Sequence, residues 1–298
     1  MWQAIVNRQE GFLNFSPQNH RAFKKTRVAV FGAGGNGVVM ENLLRIGFER
    51  FEILDPDVVD DTNLNRMPFS RHHLGRPKVE AWRDFLLDVN PGCTVRIHRH
   101  KVTCHDAGLV EDIVERADLI FLQTTSAEAN LVIARVCAAK GRRMIVGTGS
   151  SGAWIVSTFM HDNGLTLESI AGFGTENTPL EAIDYKPLLP KYLALTFYPG
   201  RKAQYIGTYR DRMLRGALKA RSCKIFVSLV NAAMAWEAAK HAIDLAGLPL
   251  EGTRIVKMPV IQVFDPFKGA AYYYNLLEKR IGIPDWLTGE ISWQAYGE

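Results

Sequence analysis

Apolar residues in this chain come in short runs and in helical stripes, and the two alternate. The run Arg27-Val-Ala-Val-Phe31, with Lys24 and Lys25 ahead of it and glycines behind, predicts a buried strand. Over residues 35–46, Val38, Val39, Leu43, Leu44 and Ile46 recur at helical spacing, and Gly47 supplies a stop. A second strand over Arg50–Leu54 ends at Asp55, residues 56–67 are polar and irregular, and residues 77–89 read as a helix. Asn90-Pro91-Gly92 then turns the chain into a strand near Thr94–His98. Two further apolar strands, 118–122 and 143–146, flank a helix over 126–139. This rhythm predicts an α/β fold: a doubly wound, mostly parallel, Rossmann-like sheet with helices on both faces and right-handed crossovers. Its ligand site is expected at the C-terminal ends of the strands.

The second half is less regular. Residues 151–215 mix short β-like runs with loops at Asn163-Gly164, Pro179, Pro187, Pro190 and Pro199, and the pattern does not order them. A long helix is predicted over Lys224–Leu245, where Val227, Val230, Met234, Ala238 and Ile243 belong to one apolar stripe. Ala271-Tyr-Tyr-Tyr-Asn275 reads as an amphipathic helix surface. No repeat and no linker divides the chain, so residues 1–298 are expected to form a single domain with a mixed C-terminal extension.

Composition narrows the class. With 298 residues, 47% hydrophobic and 22% charged, the chain is globular, which excludes disorder, collagen-like repetition and a disulfide scaffold. The net charge of +5 is spread along the chain, so anionic ligands fit while nucleic acid is not required. Four cysteines (Cys93, Cys104, Cys137, Cys223) form no Cys-x-x-Cys pair, which argues against zinc and for a reduced, cytoplasmic interior. Arg8 and Glu10 interrupt the N-terminal apolar stretch, so a secretory leader is not expected. No run approaches the roughly 18 uncharged apolar residues of a membrane span. The histidines His72, His73, His98, His100 and His105 match no ligand spacing, so no metal centre is expected from them.

The chemistry gathers after the first strand. Gly32, Gly34, Gly35 and Gly37 lie between a predicted strand and a predicted helix, where bare backbone amides meet an anion; alone, this suits a tight turn, a dinucleotide or ATP. Asp55 ends the next strand, 55 − 37 = 18 residues after the last glycine, where a carboxylate accepts the hydroxyls of a ribose. Asp57, Asn63, Arg66 and Lys78 follow, and a nicotinamide cofactor has no need of such a cluster, whereas a triphosphate does.

These motifs resemble the ThiF/MoeB-like family of ubiquitin-activating-type adenylating enzymes. The resemblance rests on Gly32 to Gly37, Asp55 with Asp57, Asn63 to Arg66, Gly75 with Lys78, Asn90-Pro91 and Asn7-Arg8-Gln9, in the family's order over about half the chain. It implies ATP-dependent adenylation of a carboxylate, the C-terminus of a ubiquitin-like or sulfur-carrier protein or a peptide, with release of pyrophosphate. It further implies an N-terminal arm (1–26), a nucleotide-binding half (27–150) and a half for the acyl substrate and dimer contacts (151–298). Asp55 would hold the ribose, the glycine loop would back the phosphates, and Asn63, Arg66 and Lys78 would contact the triphosphate. Arg8 would reach the partner's site, making the protein a homodimer. A tRNA substrate, used by one branch of such enzymes, is compatible with the charge but not indicated.

Two departures stand out. Thr125 occupies the place of the family's aspartate that supports magnesium, which leaves Asp57 or Glu128 as substitutes, or a metal held mainly through the phosphates. Residues 151–222 hold no cysteine, so no thioester step is assigned, with Cys223 at the head of the long helix as a weak candidate. A nucleotide-binding scaffold without chemistry and an NAD-dependent oxidoreductase remain as alternatives.

Overall fold

The computed structural model describes residues 8–12, 14–148, 154–196, 223–265, 269–284 and 290–295. Asn7 and Pro199 lie outside them. Helix α1 (Pro17–Lys25) falls within the expected arm; Ser16 caps it by accepting from the Asn19 amide, and Pro17 stands where no donor is needed. Strand β1 (Arg27–Phe31) leads through the glycine loop into a 3-10 turn (Gly35–Val38) and α2 (Val39–Arg45). Then follow β2 (Arg50–Leu54), α3 (Lys78–Val89), β3 (Thr94–His98), α4 (Ala107–Arg116), β4 (Leu119–Leu122), α5 (Ala127–Ala139) and β5 (Arg143–Thr148). The remainder comprises β6 (Trp154–Phe159), α6 (Leu167–Ala171), α7 (Leu188–Thr196), α8 (Lys224–Leu245), β7 (Val260–Asp265), β8 (Ala270–Asn275), β9 (Arg280–Pro284) and β10 (Ile291–Ala295).

All ten strands belong to one sheet in the order β10-β9-β8-β7-β6-β5-β4-β1-β2-β3. From β3 to β5 every neighbouring pair is parallel; from β5 to β10 every pair is antiparallel. β1 is flanked by β2 and β4: the chain passes from β1 to β2 and β3 on one side and crosses from β3 to β4 on the other, so a crevice opens at the C-terminal end of β1. Helices cover both faces of the parallel half, which is why β4, and β1 after its exposed Arg27, are apolar. Val28 and Val30 face a core with Phe23, Leu43, Trp82 and Met234, while Ala29 and Phe31 face a second core with Ile113, Leu131 and Tyr274.

The tyrosine run corrects one expectation. Residues 271–275 lie within strand β8, not a helix: Tyr272 and Tyr274 enter the second core, and Tyr273 points to the other face. Period-two burial of consecutive aromatics is what a strand accommodates and a helix face does not.

The long helix α8 falls where its stripe placed it, yet it also buries charge. Glu237 and Lys240 form an ion pair with both side chains inaccessible. Glu237 Oε1 accepts from the Val256 amide at 2.7 Å, and Lys240 Nζ donates to the Arg254 carbonyl at 2.6 Å. His241, fully buried, lies 2.9 Å from Thr158 Oγ1 and 3.2 Å from Arg143 Nη1. Guanidinium only donates, so Nδ1 accepts and Nε2 carries the proton given to Thr158. Burial, with Arg143 and Lys240 nearby, pushes His241 down to about 3, so it is neutral. These bonds stitch α8 to β5, β6 and the segment before β7, fixing the helix over the crevice. Among the described residues no helix is long and apolar enough to cross a membrane.

Candidate nucleotide site

The loops after β1, β2 and β4 converge at the crevice. Gly32 adopts φ +96°, its amide donates to the Leu54 carbonyl at 2.9 Å, and a Cβ there would stand 2.6 Å from the Gln123 carbonyl oxygen. Only glycine lets the β1 loop pass between its neighbours. Gly37 is closed in by Trp82, whose Nε1 would lie 3.2 Å from a Cβ at 37 and donates to the Ala33 carbonyl at 2.9 Å. Gly34 differs: a Cβ there would meet nothing within 4 Å. Its bare face is open, as a loop that receives a phosphate chain requires.

Asp55, 5% exposed, ends β2 beneath this loop. Its Oδ2 accepts from the Ala33 amide at 2.7 Å and its Oδ1 from the Asp57 amide at 2.9 Å. Burial pushes its carboxyl above the usual range, while Lys78 and the two amides oppose the shift. Each oxygen keeps lone-pair capacity, so the carboxylate braces the loop and is still able to accept from a ligand.

Lys78 opens α3 and is buried, with Nζ 2.8 Å from Asp57 Oδ2 and its amide donating to the Asp57 carbonyl at 2.9 Å. Asp57 itself is largely exposed, so the pair is a buried cation held by a surface anion. Arg66 lies over Gly35: a Cβ at 35 would stand 2.9 Å from its Nε. Its Nη1 donates to the Thr62 carbonyl at 2.5 Å and to Asn65 Oδ1 at 2.9 Å. Burial pulls the guanidinium below its ordinary value, with Asp60 opposing, and it stays charged. Asn63 is buried in a capping box, its Nδ2 donating to Asp60 Oδ1 at 2.9 Å. It shapes the turn that presents Arg66.

Thr125 is exposed beyond β4, between Gln123 and Ser126, the N-cap of α5. The two carboxylates considered in its stead are committed elsewhere: Asp57 to Lys78, and Glu128 to the Cys104 amide at 2.9 Å. Among the described residues no group of three His, Cys, Asp or Glu is placed to hold a metal ion. Neither of these two carboxylates takes the aspartate's place, and no step is routed through a magnesium ion. Arg8 is exposed and belongs to a turn whose next residue, Gln9, bonds the carbonyl of Arg45 at the far end of α2. The structure therefore brings Gly32 to Gly37, Asp55, Asp57, Arg66 and Lys78 together and leaves Arg8 apart. Cys223 sits half-buried at the N-cap of α8 without a capping bond from its side chain.

Three contributors were not singled out in the sequence, and a fourth, Met234, was read only as part of the apolar stripe. Trp82 braces the loop. Asn231 on α8 donates to the Gly35 carbonyl at 3.2 Å and to the Val227 carbonyl at 2.6 Å. Gln123 Nε2 donates to Met234 Sδ at 3.0 Å, and Met234 packs where Gly147 lacks a side chain. A buried Asn inside an apolar helical stripe was the one visible signal; partners 196 residues apart are not legible from spacing.

A family model described as the ThiF family matches residues 6–257. Ubiquitin-like modifier-activating enzyme 5 of Caenorhabditis elegans is 38% identical over 88 residues, 29% of this chain and 21% of that protein. The NEDD8-activating enzyme E1 catalytic subunit of the same organism is 35% identical over 88 residues, 29% of this chain and 20% of that one. The chain thus spans about a fifth of the length of these relatives. Among solved structures, PaaA superposes with a TM-score of 0.64 at 16% identity, covering 92% of this chain and 73% of that one. E. coli MccB with ATP superposes with a TM-score of 0.60 at 14% identity, covering 87% and 66%. At such identities the likeness is one of fold.

Proposed function

Because the chain belongs to the ThiF family, we propose that it is an ATP-dependent adenylyltransferase that activates a carboxylate, the C-terminus of a ubiquitin-like or sulfur-carrier protein or of a peptide. A carboxylate oxygen attacks the α-phosphorus of ATP, the bond to the bridging oxygen of the β-phosphate breaks, and pyrophosphate leaves with that oxygen. The observation that carries this reading is the pair of held cations, Arg66 across Gly35 and Lys78 against Asp57, beside the open face of Gly34. Preorganised cations stabilise the charge that develops as pyrophosphate departs. In this reading Asp55 receives the ribose, Gly32, Gly34, Gly35 and Gly37 back the phosphates, and Asn63 holds the Arg66 turn. Arg8 completes the site of a second copy. The single sheet that runs through both halves supports reading residues 1–298 as one adenylation unit. Four cysteines without a disulfide support a reducing, cytoplasmic setting.

The test is exchange of labelled pyrophosphate into ATP, dependent on added carboxylate acceptors. Exchange that Lys78→Ala and Arg66→Ala each abolish, in folded protein, supports the reading; tight ATP binding with no exchange across ubiquitin-like, sulfur-carrier and peptide acceptors removes the chemistry. A second reading, a scaffold that binds nucleotide without turnover, is favoured by Thr125 and by the commitment of Glu128 to Cys104. It predicts that last outcome. Preference for NAD over ATP in titration would overturn both.

A further inference from the structure

We propose that Gln9 is a positioning residue for the arginine that acts across the dimer: its amide pins the arm to its own protomer so that Arg8 is offered to a second copy. The proposal rests on the dimeric, trans-acting reading above. Gln9 Nε2 donates to the Arg45 carbonyl at 2.6 Å, one of the carbonyls that the end of α2 leaves without a helical partner. Gln9 Oε1 lies 3.4 Å from His20 Nε2 on α1. An amide oxygen only accepts, so His20 carries its proton on Nε2. Burial lowers His20 below its ordinary value, with Glu10 opposing, and the ring stays neutral between Phe15 and Phe23. One side chain thus ties the arm to two helices.

The rest of the arm is braced to match. Gly11 at φ +96° and the Phe12 amide donating to the Gln9 carbonyl at 3.2 Å close a tight turn. Asn14 clips the arm's other end to the loop after α8, its Nδ2 donating to the Glu251 carbonyl at 2.7 Å and its Oδ1 accepting from the Glu251 amide at 2.9 Å. What this frame leaves outward includes Arg8 and Phe12, the latter 71% exposed. The anchor at Arg45 and the glycine loop lie at opposite ends of one helical segment, eleven residues from Gly35 to Arg45, about 15–20 Å along its axis. Pinning the arm there holds Arg8 away from its own nucleotide site, and a rigid arm loses less entropy on reaching a neighbour's.

The test counts tight ATP sites in mixed dimers of the full chain, by titration with ATP, using differently tagged protomers of Arg8→Ala, Lys78→Ala and Gln9→Leu. As homodimers each is expected to bind ATP at least about tenfold more weakly, the scale of one lost charge-assisted bond. Arg8→Ala mixed with Lys78→Ala recovers one tight site per dimer; failure here overturns the trans reading and this inference with it. With that control in place, Gln9→Leu recovers a tight site with Lys78→Ala and none with Arg8→Ala. The reverse pattern places Gln9 in its own protomer's site and overturns the proposal, as does a Gln9→Leu homodimer that binds ATP like the parent protein. His20→Phe keeps the ring packing and removes only the bond to Oε1. It is the second variant should Gln9→Leu not fold, and it is expected to sort with Arg8→Ala; sorting with Lys78→Ala overturns the proposal.

Discussion

Arg66 rests on Gly35: its Nε and Cδ would stand 2.9 and 3.0 Å from a Cβ at that position, so the guanidinium occupies the space a side chain would take. The glycine is therefore a seat for the arginine as well as part of the glycine loop. Gly35→Ala is expected to dislodge Arg66, cost about 1–3 kcal/mol of stability through overpacking, and lower pyrophosphate exchange. Gly34→Ala, facing open space, should melt like the parent protein yet bind ATP more weakly. Melting curves and ATP titration of the two variants check the contrast.

Asp55 holds two backbone amides with its two oxygens. Asp55→Asn turns one acceptor into a donor, so the amide of Ala33 or of Asp57 loses its partner, at about 1–3 kcal/mol. Since burial raises this carboxyl above its usual range, ATP affinity in the parent protein should weaken as pH falls through that elevated value, because the protonated form no longer receives both ribose hydroxyls. Folding stability responds in the opposite sense: the raised carboxyl contributes below the ordinary carboxylate range and loses that contribution as pH rises through its folded value. Affinity measured against pH should be flat in Asp55→Asn.

His241 is held neutral, pushed down to about 3 from an unfolded value near 6.5. A depressed histidine contributes stability that is present above about 6.5 and lost as pH falls toward about 3, with a limiting slope of about 1.4 kcal/mol per pH unit. Glu237, raised by burial, acts in the opposite sense above the usual carboxylate range. Comparing melting temperature against pH for the parent and His241→Gln isolates the histidine, and the variant should show a shallower loss between pH 6 and pH 4.5, about one limiting slope less per unit.

Met234 fills the place a side chain at Gly147 would take, with Sδ 2.5 Å from a Cβ there. Gly147→Ala should push α8 off the crevice, loosening the Asn231 bond to Gly35 and costing about 1–3 kcal/mol. Met234→Ala in the same chain should recover part of the loss of ATP affinity. A double-mutant cycle in melting temperature and ATP titration measures the coupling.

Thr125 is exposed, so Thr125→Asp should fold like the parent. A carboxylate there is expected to make ATP binding respond to magnesium, by about tenfold or about 1.4 kcal/mol, whereas binding by the parent protein should change little when magnesium is removed by chelation.

Much of the first half was legible because its information is local. A parallel strand covered on both faces is a continuous apolar run, as at Arg27–Phe31, and a glycine forced to φ +96° at Gly32 is written in the sequence by its own identity. The tyrosines at 272–274 misled because three aromatics in a row announce burial without its period, and only pairing with β7 and β9 set the alternation.

The residues alone determined the glycine loop after β1, the carboxylate after β2, the two cations near it and the long helix, since each depends on neighbours within a few turns of chain. Which surface covers that loop was decided by tertiary structure. Asn231 meets Gly35, Met234 meets Gly147 and Gln9 meets Arg45 across stretches no periodicity encodes. Those contacts form because burying α8 against the sheet demands partners for its polar atoms, and only the folded chain brings the partners within bonding distance.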